Sequence, residues 1–109
     1  MGVLSGYRIM WMLVMFDLPV LTPAERKEAT NFRVFLLHLG FERSQFSVYM
    51  RCCPGKEKVE QYVRRIRDQL PEGGKVDILT FTDRQYENII SFRSQARRPK
   101  KKPRQLTLF

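Results

Sequence analysis

The apolar run IMWMLVMFD at residues 9–17 decides the fold of this 109-residue chain. Every residue from 9 to 16 is apolar, so the run is too short for an independent helix and far below the roughly 20 residues of a membrane span. A strand that is apolar on both sides suits the centre of a sheet, covered by helices on one face and by helices or a second copy on the other. The sequence therefore predicts a central strand over residues 8–16 that ends at Asp17.

A helix is predicted next, from Pro23 to Leu39. Thr22 is its expected N-cap, Pro23 occupies the first helical position, and Glu25 can close a capping box with Thr22. Gly40 supplies the C-terminal stop. The apolar residues fall at i, i+3, i+4 and i+7, which makes one buried stripe: Phe32, Phe35, Leu36 and Leu39.

The remaining elements complete an α+β pattern. Short strands are predicted over residues 41–43 and 46–52, the second with period-2 alternation. A second helix carries its apolar residues at helical spacing: Val59, Tyr62, Val63, Ile66 and Leu70. A strand over residues 76–82, a turn at residues 83–84 and a further short strand within residues 86–92 follow. The order βαββαβ with an extra C-terminal strand predicts a ferredoxin-like antiparallel sheet with two helices on one face.

The net charge of +9 and the isoelectric point near 10.1 indicate a polyanionic partner, with nucleic acid first. The charge is uneven, because residues 93–109 hold seven basic residues and no acid, which leaves only +2 for the first 92 residues. We therefore predict a ferredoxin-like domain over residues 1–92 and a disordered basic tail over residues 93–109.

The sequence lacks the motifs by which several classes of enzyme are recognised. It has no phosphate-binding glycine loop and no nucleophile elbow, and its one histidine, His38, falls at the end of the first predicted helix. Cys52 and Cys53 are expected to be reduced structural thiols, since a zinc site needs more ligands than one chain offers. With no membrane span or signal peptide recognised, a cytoplasmic location is expected.

Asp17 is the remaining candidate for chemistry. A carboxylate held at the end of a buried strand suits a hard cation such as Mg²⁺, and a two-fold dimer that brings two copies together would supply two ligands. The alternative is that Asp17 accepts backbone amides in the turn before the first helix.

Basic side chains are the second set of candidates. The phosphate-binding candidates in the domain are Arg26, Arg43, Arg64, Arg65 and Arg67, and those in the tail are Arg97, Arg98, Lys100, Lys101 and Lys102. Contacts to phosphate position a nucleic acid without reading its sequence. For the arginines at 64, 65 and 67, a solvated helix face is the equally open alternative.

Four segments together resemble the CRISPR-associated protein two family: Phe16-Asp17-Leu18-Pro19, the helix with Arg26 and Phe32, the step from Gly40-Phe41 into Arg43-Ser44-Gln45-Phe46-Ser47-Val48-Tyr49, and Ile78-Leu79-Thr80-Phe81-Thr82-Asp83. The resemblance covers about residues 9–92. It implies a ferredoxin-like homodimer joined through its sheets, with the last strand often crossing to the partner.

The resemblance also implies a role in CRISPR adaptation. Similar proteins bridge two dimers of the CRISPR integrase and hold duplex prespacer DNA, and many are described as Mg²⁺-dependent endonucleases on RNA or DNA. Their metal is shared between the strand-end aspartates of two protomers, so one Mg²⁺ per dimer at Asp17 is expected. The family pattern often has Tyr before this aspartate, whereas this chain has Phe16.

Two further hypotheses stay open. The enzyme-class alternative is a stand-alone toxin-type ribonuclease that shares the fold. At the C-terminus, Gln105-Leu106-Thr107-Leu108-Phe109 resembles the pentapeptide that binds the bacterial sliding clamp, with Gln105, Leu106, Leu108 and Phe109 at the fixed positions. A short apolar motif after a basic spacer is typical of segments that dock on a partner, and here the integrase is the other candidate.

Overall fold

The computed structural model describes residues 8–94, which form a four-stranded antiparallel sheet and three helices. In chain order the elements are β1 (Met10–Asp17), α1 (Pro23–His38), β2 (Glu42–Gln45), β3 (Val48–Cys53), α2 (Lys56–Arg67), β4 (Lys75–Thr82) and α3 (Asp83–Glu87). The predicted α+β class and the βαββαβ order are confirmed.

The apolar strand β1 lies inside the sheet, whose strand order is β2-β3-β1-β4. It pairs antiparallel with β3 on one side and with β4 on the other, so that Leu13 lies opposite both Met50 and Leu79. Because both of its neighbours are bonded along its length, β1 has no free edge. This arrangement confirms the predicted central strand, which runs over Met10–Asp17 where residues 8–16 were predicted.

The hydrophobic core lies on one face of the sheet. Alternate residues of β1 point into it, and Met12, Val14 and Phe16 are all buried. Side chains from both long helices meet this same face: Phe32 and Leu36 of α1, and Val59 and Ile66 of α2. Both helices therefore cover one side of the sheet, as a ferredoxin-like fold requires.

Helix α1 begins at Pro23 as its sequence predicts and ends at His38, one residue before the predicted end, with Leu39 as its C-cap. The Thr22 hydroxyl accepts a hydrogen bond from the Glu25 amide at 3.1 Å, and the Glu25 carboxylate accepts one from the Thr22 amide at 3.0 Å. These two bonds make the capping box. At the other end Gly40 has φ +90°, a left-handed conformation that a residue with a Cβ adopts only with strain.

Helix α2 is shorter at its C-terminus than the predicted apolar stripe. The helix ends at Arg67, with Asp68 as its C-cap, so Leu70 lies beyond it and is 48% exposed. The prediction that placed Leu70 on this helix is wrong. Pro71 disfavours helical backbone in the residue before it, which explains why the chain leaves the helix early.

The hairpin of β2 and β3 corrects the predicted strand over residues 46–52. Phe46 and Ser47 form a two-residue turn between the strands, and Ser47 has φ 62°. The core side of β3 carries Tyr49, Arg51 and Cys53, of which Tyr49 and Cys53 are buried, whereas Phe46 is exposed. Tyr49 fills the core because its ring stacks on that of Phe16, at 5.7 Å between centroids.

The predicted turn at residues 83–84 and the extra strand within residues 86–92 are wrong. Residues 83–87 form α3, and residues 89–94 belong to no helix or strand. Thr82 caps this helix through a second capping box with Gln85, which explains why the segment turns helical. The apolar Ile90 and Phe92 that suggested a strand have no neighbouring strand among residues 8–94, and both are exposed.

Within residues 8–94, neither α1 nor α2 covers the second face of the sheet, and α3 reaches only its Trp11 end. We call it the open face, and its apolar residues are Trp11, Leu13, Met15, Val48, Met50, Leu79 and Phe81, none of which is fully buried. Of these, Leu79 is 49% exposed. Within residues 8–94, no helix is long and apolar enough to cross a bilayer.

Candidate functional site

Asp17 lies at the polar end of the open face. It is the last residue of β1, it is exposed, and it follows Trp11, Leu13 and Met15 on the same side of the strand. Among residues 8–94, no backbone amide donates a hydrogen bond to its side chain. The alternative in which Asp17 organises the turn before α1 therefore finds no support in the described part of the chain.

Other residues organise that turn. The Glu25 carboxylate accepts from the amides of Leu21 and Thr22, and the Arg26 guanidinium donates to the carbonyls of Val20 and Leu21 at 3.1 and 3.2 Å. These contacts hold the loop between β1 and α1 without using Asp17. The Asp17 carboxylate is thus left facing the surface, where a ligand can reach it.

A cleft of about 240 Å³ opens beside Asp17. On β4, Lys75 lies directly opposite Asp17 in the sheet register, and Asp77 lies opposite Met15. The Lys75 ammonium is 3.5 Å from the Asp77 carboxylate, and both side chains line the cleft with Asp17. This ion pair is mostly exposed, so it contributes little to stability and its members remain accessible to a charged ligand.

The other wall of the cleft is the turn between β2 and β3. Its Phe46 ring lines the cleft and is 75% exposed, and the Arg43 guanidinium lies over this ring at 5.5 Å from the centroid. The Phe16 amide donates a hydrogen bond to the Ser47 carbonyl at 3.1 Å. This bond fixes the turn against β1 one residue before Asp17.

The carboxylates of this site fit a hard divalent cation in their chemistry, since Mg²⁺ and Ca²⁺ prefer oxygen ligands. Two carboxylates, Asp17 and Asp77, line the cleft in one chain. Residues 8–94 of a single chain contain no group of three or more potential metal ligands. A cation here would therefore need ligands from water, from a substrate or from a second copy of the chain.

The predicted phosphate-binding arginines do not form one cluster with Asp17. Arg43 lies beside the cleft through its contact with Phe46, and Arg26 is engaged with loop carbonyls. The other three, Arg64, Arg65 and Arg67, are exposed on α2, which covers the opposite side of the sheet. The described part of the chain therefore offers two separate surfaces, an acidic cleft on the open face and a basic face on the helix layer.

The two cysteines are free thiols, as the sequence predicts, with Cys52 exposed and Cys53 buried. Burial raises the pKa of the Cys53 thiol above its ordinary value, and the nearby Arg51 opposes that shift. The Arg51 guanidinium lies over the Tyr62 ring at 4.8 Å. His38 is exposed at the last residue of α1, in agreement with the predicted helix-end position.

Four residues of the cleft escaped prediction from sequence: Phe46, Ser47, Lys75 and Asp77. Lys75 and Asp77 are two positions apart on β4, which indicates that they share a face of the sheet. Only the register of β4 with β1 places them beside Asp17. The predicted tail residues Arg97, Arg98, Lys100, Lys101 and Lys102 lie outside the described residues. So do the motif residues Gln105, Leu106, Leu108 and Phe109.

Relatives of known name match most of the chain. A protein of Paracidovorax avenae is 56% identical over 107 residues, covering 97% of this chain and 99% of its own, and is named CRISPR-associated endoribonuclease Cas2. Proteins of Parvibaculum lavamentivorans and Flavobacterium psychrophilum carry the same name. The Parvibaculum protein is 43% identical, over 92% of this chain and 100% of its own length. The Flavobacterium protein is 48% identical, over 76% of this chain and 72% of its own length.

A solved structure and a family model agree with these relatives. A crystal structure described as that of cas2 superposes with a TM-score of 0.56 at 17% identity, covering 84% of this chain and 92% of its own, which supports the fold. The model of the family described as CRISPR associated protein Cas2 matches residues 10–89, which span all of β1 to α3. Since that match takes in the central strand, its terminal aspartate and the whole cleft, the chain belongs to the Cas2 family.

Proposed function

We propose that this chain is a homodimeric subunit of CRISPR spacer acquisition and that Asp17 supports Mg²⁺-dependent cleavage of phosphodiester bonds. The observation that carries the proposal is the position of Asp17, an exposed carboxylate at the polar end of an open sheet face whose central residues are apolar. The names of the relatives, which are called endoribonucleases, support a nuclease and favour RNA as one substrate.

The open face is the surface that we propose for dimerisation. It carries seven half-buried or exposed apolar residues on three adjacent strands, whereas soluble monomers rarely leave a large contiguous apolar patch uncovered. A second copy is the occupant that the proposal requires, because residues 8–94 of one chain contain no group of three or more potential ligands for a cation. An isologous contact through this face would bring two copies of Asp17 to the same interface.

A charge on the open face tests this dimer. Leu79→Glu places a carboxylate within the apolar face and should convert the dimer to a monomer in analytical ultracentrifugation. Thr80→Glu is the matched control, since Thr80 is exposed on the other side of the same strand and should leave the mass unchanged. A wild-type chain that sediments as a monomer at all concentrations would remove the dimer from the proposal.

The chemistry divides between the bound cation and the side chains of the cleft. The Asp17 carboxylates of the two copies would hold Mg²⁺, which would supply a Lewis acid for the phosphodiester. Asp17 contributes its charge and its fixed position at the end of β1. Lys75, opposite Asp17, places a positive charge where a phosphate enters the cleft, and Asp77 holds that ammonium in place.

Replacement of Asp17 tests the nuclease. Asp17→Asn keeps the shape of the side chain and removes its charge, so cleavage of labelled RNA and DNA should fall by at least about 100-fold. Asp68→Asn, at an exposed carboxylate after α2, should cleave as wild type does. Cleavage that persists in Asp17→Asn, or in wild type with a chelator, would show that the activity does not use this site.

Spacer acquisition is the second half of the proposal. Duplex DNA would lie on basic surfaces such as the helix-layer face with Arg64, Arg65 and Arg67, and the integrase would perform the phosphoryl transfer. An integration assay with the partner integrase, run on wild type and Asp17→Asn, separates the roles. Integration retained without cleavage favours the scaffold, whereas loss of both makes Asp17 part of acquisition. Cleavage of RNA without any integrase complex would favour the toxin-type ribonuclease.

The C-terminal motif adds one partner to the proposal. The peptide of residues 104–109 carries Gln105, Leu106, Leu108 and Phe109, and we propose that it docks in the sliding clamp. Fluorescence anisotropy of this peptide with purified clamp should give saturable binding that Phe109→Ala abolishes. Equal binding by both peptides, or none by either, would eliminate the clamp as a partner.

A further inference from the structure

We propose that Phe46 and Arg43 form a subsite that stacks one unpaired nucleobase at the edge of the Asp17 cleft. The cleavage chemistry at Asp17 is taken from the proposed function, whereas base binding at Phe46 does not depend on that chemistry. Its starting point is Phe46, a 75% exposed aromatic ring that lines the cleft. The ring stands at the rim of the cleft, beside Asp17 and Lys75, where the planar face of a ligand can stack on it.

The backbone fixes the position of this ring. Phe46 and Ser47 are the only residues between β2 and β3, so the turn is as short as a hairpin allows. Ser47 takes a left-handed conformation with φ 62°, and its carbonyl accepts the Phe16 amide at 3.1 Å. The ring is therefore carried by a short turn that is bonded to the strand ending in Asp17.

The surroundings of the ring match a nucleotide. Arg43 lies over the ring at 5.5 Å and can contact a base or its phosphate, since guanidinium groups do both. Across the cleft, the Lys75 ammonium offers a positive charge for a neighbouring phosphate. Each base stacked on an aromatic side chain contributes about 1–3 kcal/mol, with little dependence on base identity.

This subsite distinguishes unpaired from paired nucleic acid. In a duplex, both faces of each base are covered by its neighbours, so no face is free to stack on Phe46 without unstacking. Single strands, loops and frayed ends expose such faces. We therefore infer that the cleft selects a single-stranded segment, with the base on Phe46 and the backbone directed toward Asp17 and Lys75.

The experiment measures binding without cleavage. Fluorescence anisotropy follows a labelled single-stranded RNA and its duplex in the absence of divalent cations, at about 200 mM salt to weaken the phosphate contacts. The full-length variants are Phe46→Leu, Phe46→Tyr and Phe92→Leu, the last replacing a ring that is 93% exposed outside the cleft. Phe46→Leu should weaken single-strand binding by about 5- to 150-fold and leave duplex binding unchanged. Phe46→Tyr and Phe92→Leu should bind as wild type does.

Three results would overturn the subsite. The first is that Phe46→Leu binds the single strand with wild-type affinity. The second is that Phe46→Leu loses the same affinity for the single strand and for the duplex. The third is that Phe46→Leu changes the sedimenting mass of the protein without changing its affinity for nucleic acid, which would make Phe46 a protein contact. Since Phe46 is exposed, the thermal midpoint of Phe46→Leu should match that of wild type. The cleavage assay on Asp17→Asn is separate, so a failed nuclease and a failed subsite give different results.

Discussion

Adjacent cysteines on β3 show how strand alternation sets the chemistry of a side chain. Cys52 faces the open side of the sheet and is exposed, while Cys53 faces the helices and is buried. Burial also raises the pKa of the Cys53 thiol, which keeps its reactive thiolate scarce. We predict that a thiol reagent such as dithionitrobenzoate labels one cysteine per native chain and two after denaturation, and that Cys52→Ser removes the native reaction.

The same pKa shift predicts an alkaline loss of stability. Above the ordinary thiol value of 9.0, Cys53 ionises in the unfolded chain while the folded chain retains the proton. The unfolded state then binds fewer protons, so the free energy of unfolding falls as pH rises. Denaturant titrations of the Cys52→Ser variant below and above pH 9.0 should show this decline in the free energy of unfolding. A decline of equal size in the double variant with Cys53→Ala would assign it to other groups.

Gly40 is the residue at which the α1 terminus is most sensitive to substitution. It has φ +90°, and a Cβ added there would collide with Nη1 of Arg51. Gly73 is a matched control, because its φ is +76° but an added Cβ would meet only Pro19, at 3.5 Å. Gly73→Ala should cost about 1–2 kcal/mol from backbone strain alone, and Gly40→Ala should cost more in urea denaturation. Equal losses would show that Arg51 moves aside freely.

Among the elements, α3 determines how the chain leaves the sheet. Asp83 in this helix accepts a hydrogen bond from the Trp11 indole at 2.9 Å, and Tyr86 stacks on Trp11 at 3.8 Å between ring centroids. We predict that Thr82→Ala, which removes the helix cap, costs about 1 kcal/mol and shifts the emission of the only tryptophan to longer wavelength.

Two controls accompany that fluorescence measurement. Thr82→Ser keeps the capping hydroxyl and should give the wild-type spectrum, while Gln85→Ala removes only the reciprocal bond and should give a smaller shift. An unchanged Trp11 spectrum in Thr82→Ala would mean that the indole contacts hold α3 without its cap.

The elements could be predicted where local chemistry decides them. The Thr22 and Glu25 capping box and the Gly40 stop are short-range signals, and both ends of α1 follow from them. The segment after β4 misled prediction because Tyr86, Ile90 and Phe92 have high strand propensity. A strand needs a neighbour, and in residues 83–87 the Thr82 cap and the Trp11 contacts favour a helix instead.

The candidate site could be predicted only in part, because pairing between distant strands assembles it. Asp17 is recognisable from its place at the end of an apolar strand. Lys75 and Asp77 lie almost sixty positions away along the chain, and only the register of β4 with β1 places them beside Asp17. Phe46 was expected in a strand, and the tight turn that exposes it depends on the left-handed Ser47.

For the molecule as a whole, charge distribution predicts how binding depends on salt. Residues 95–109 contain six basic residues, and each phosphate neutralised adds about 0.9 to the slope of log affinity against log salt. We predict that, for duplex DNA, the slope of log affinity against log salt is shallower in a chain ending at Ser94 than in the full-length chain, by as much as about 5. A triple variant with Arg64, Arg65 and Arg67 changed to Ala measures the helix-layer face in the same assay. An unchanged slope in the truncated chain would place the phosphate contacts within residues 1–94.

The two-sided apolar character of β1 has a consequence for how the chain avoids misalignment. Sliding a strand by one residue exchanges its two faces, and hydrophobicity opposes this only when one face is polar. Along β1 both faces are apolar, so burial alone does not select the native alignment. Two polar contacts near its ends contribute to that selection: the Trp11 indole bonded to Asp83 and the Phe16 amide bonded to Ser47. A shift of one residue would break both contacts and would carry Asp17 from the open face to the face that the helices cover.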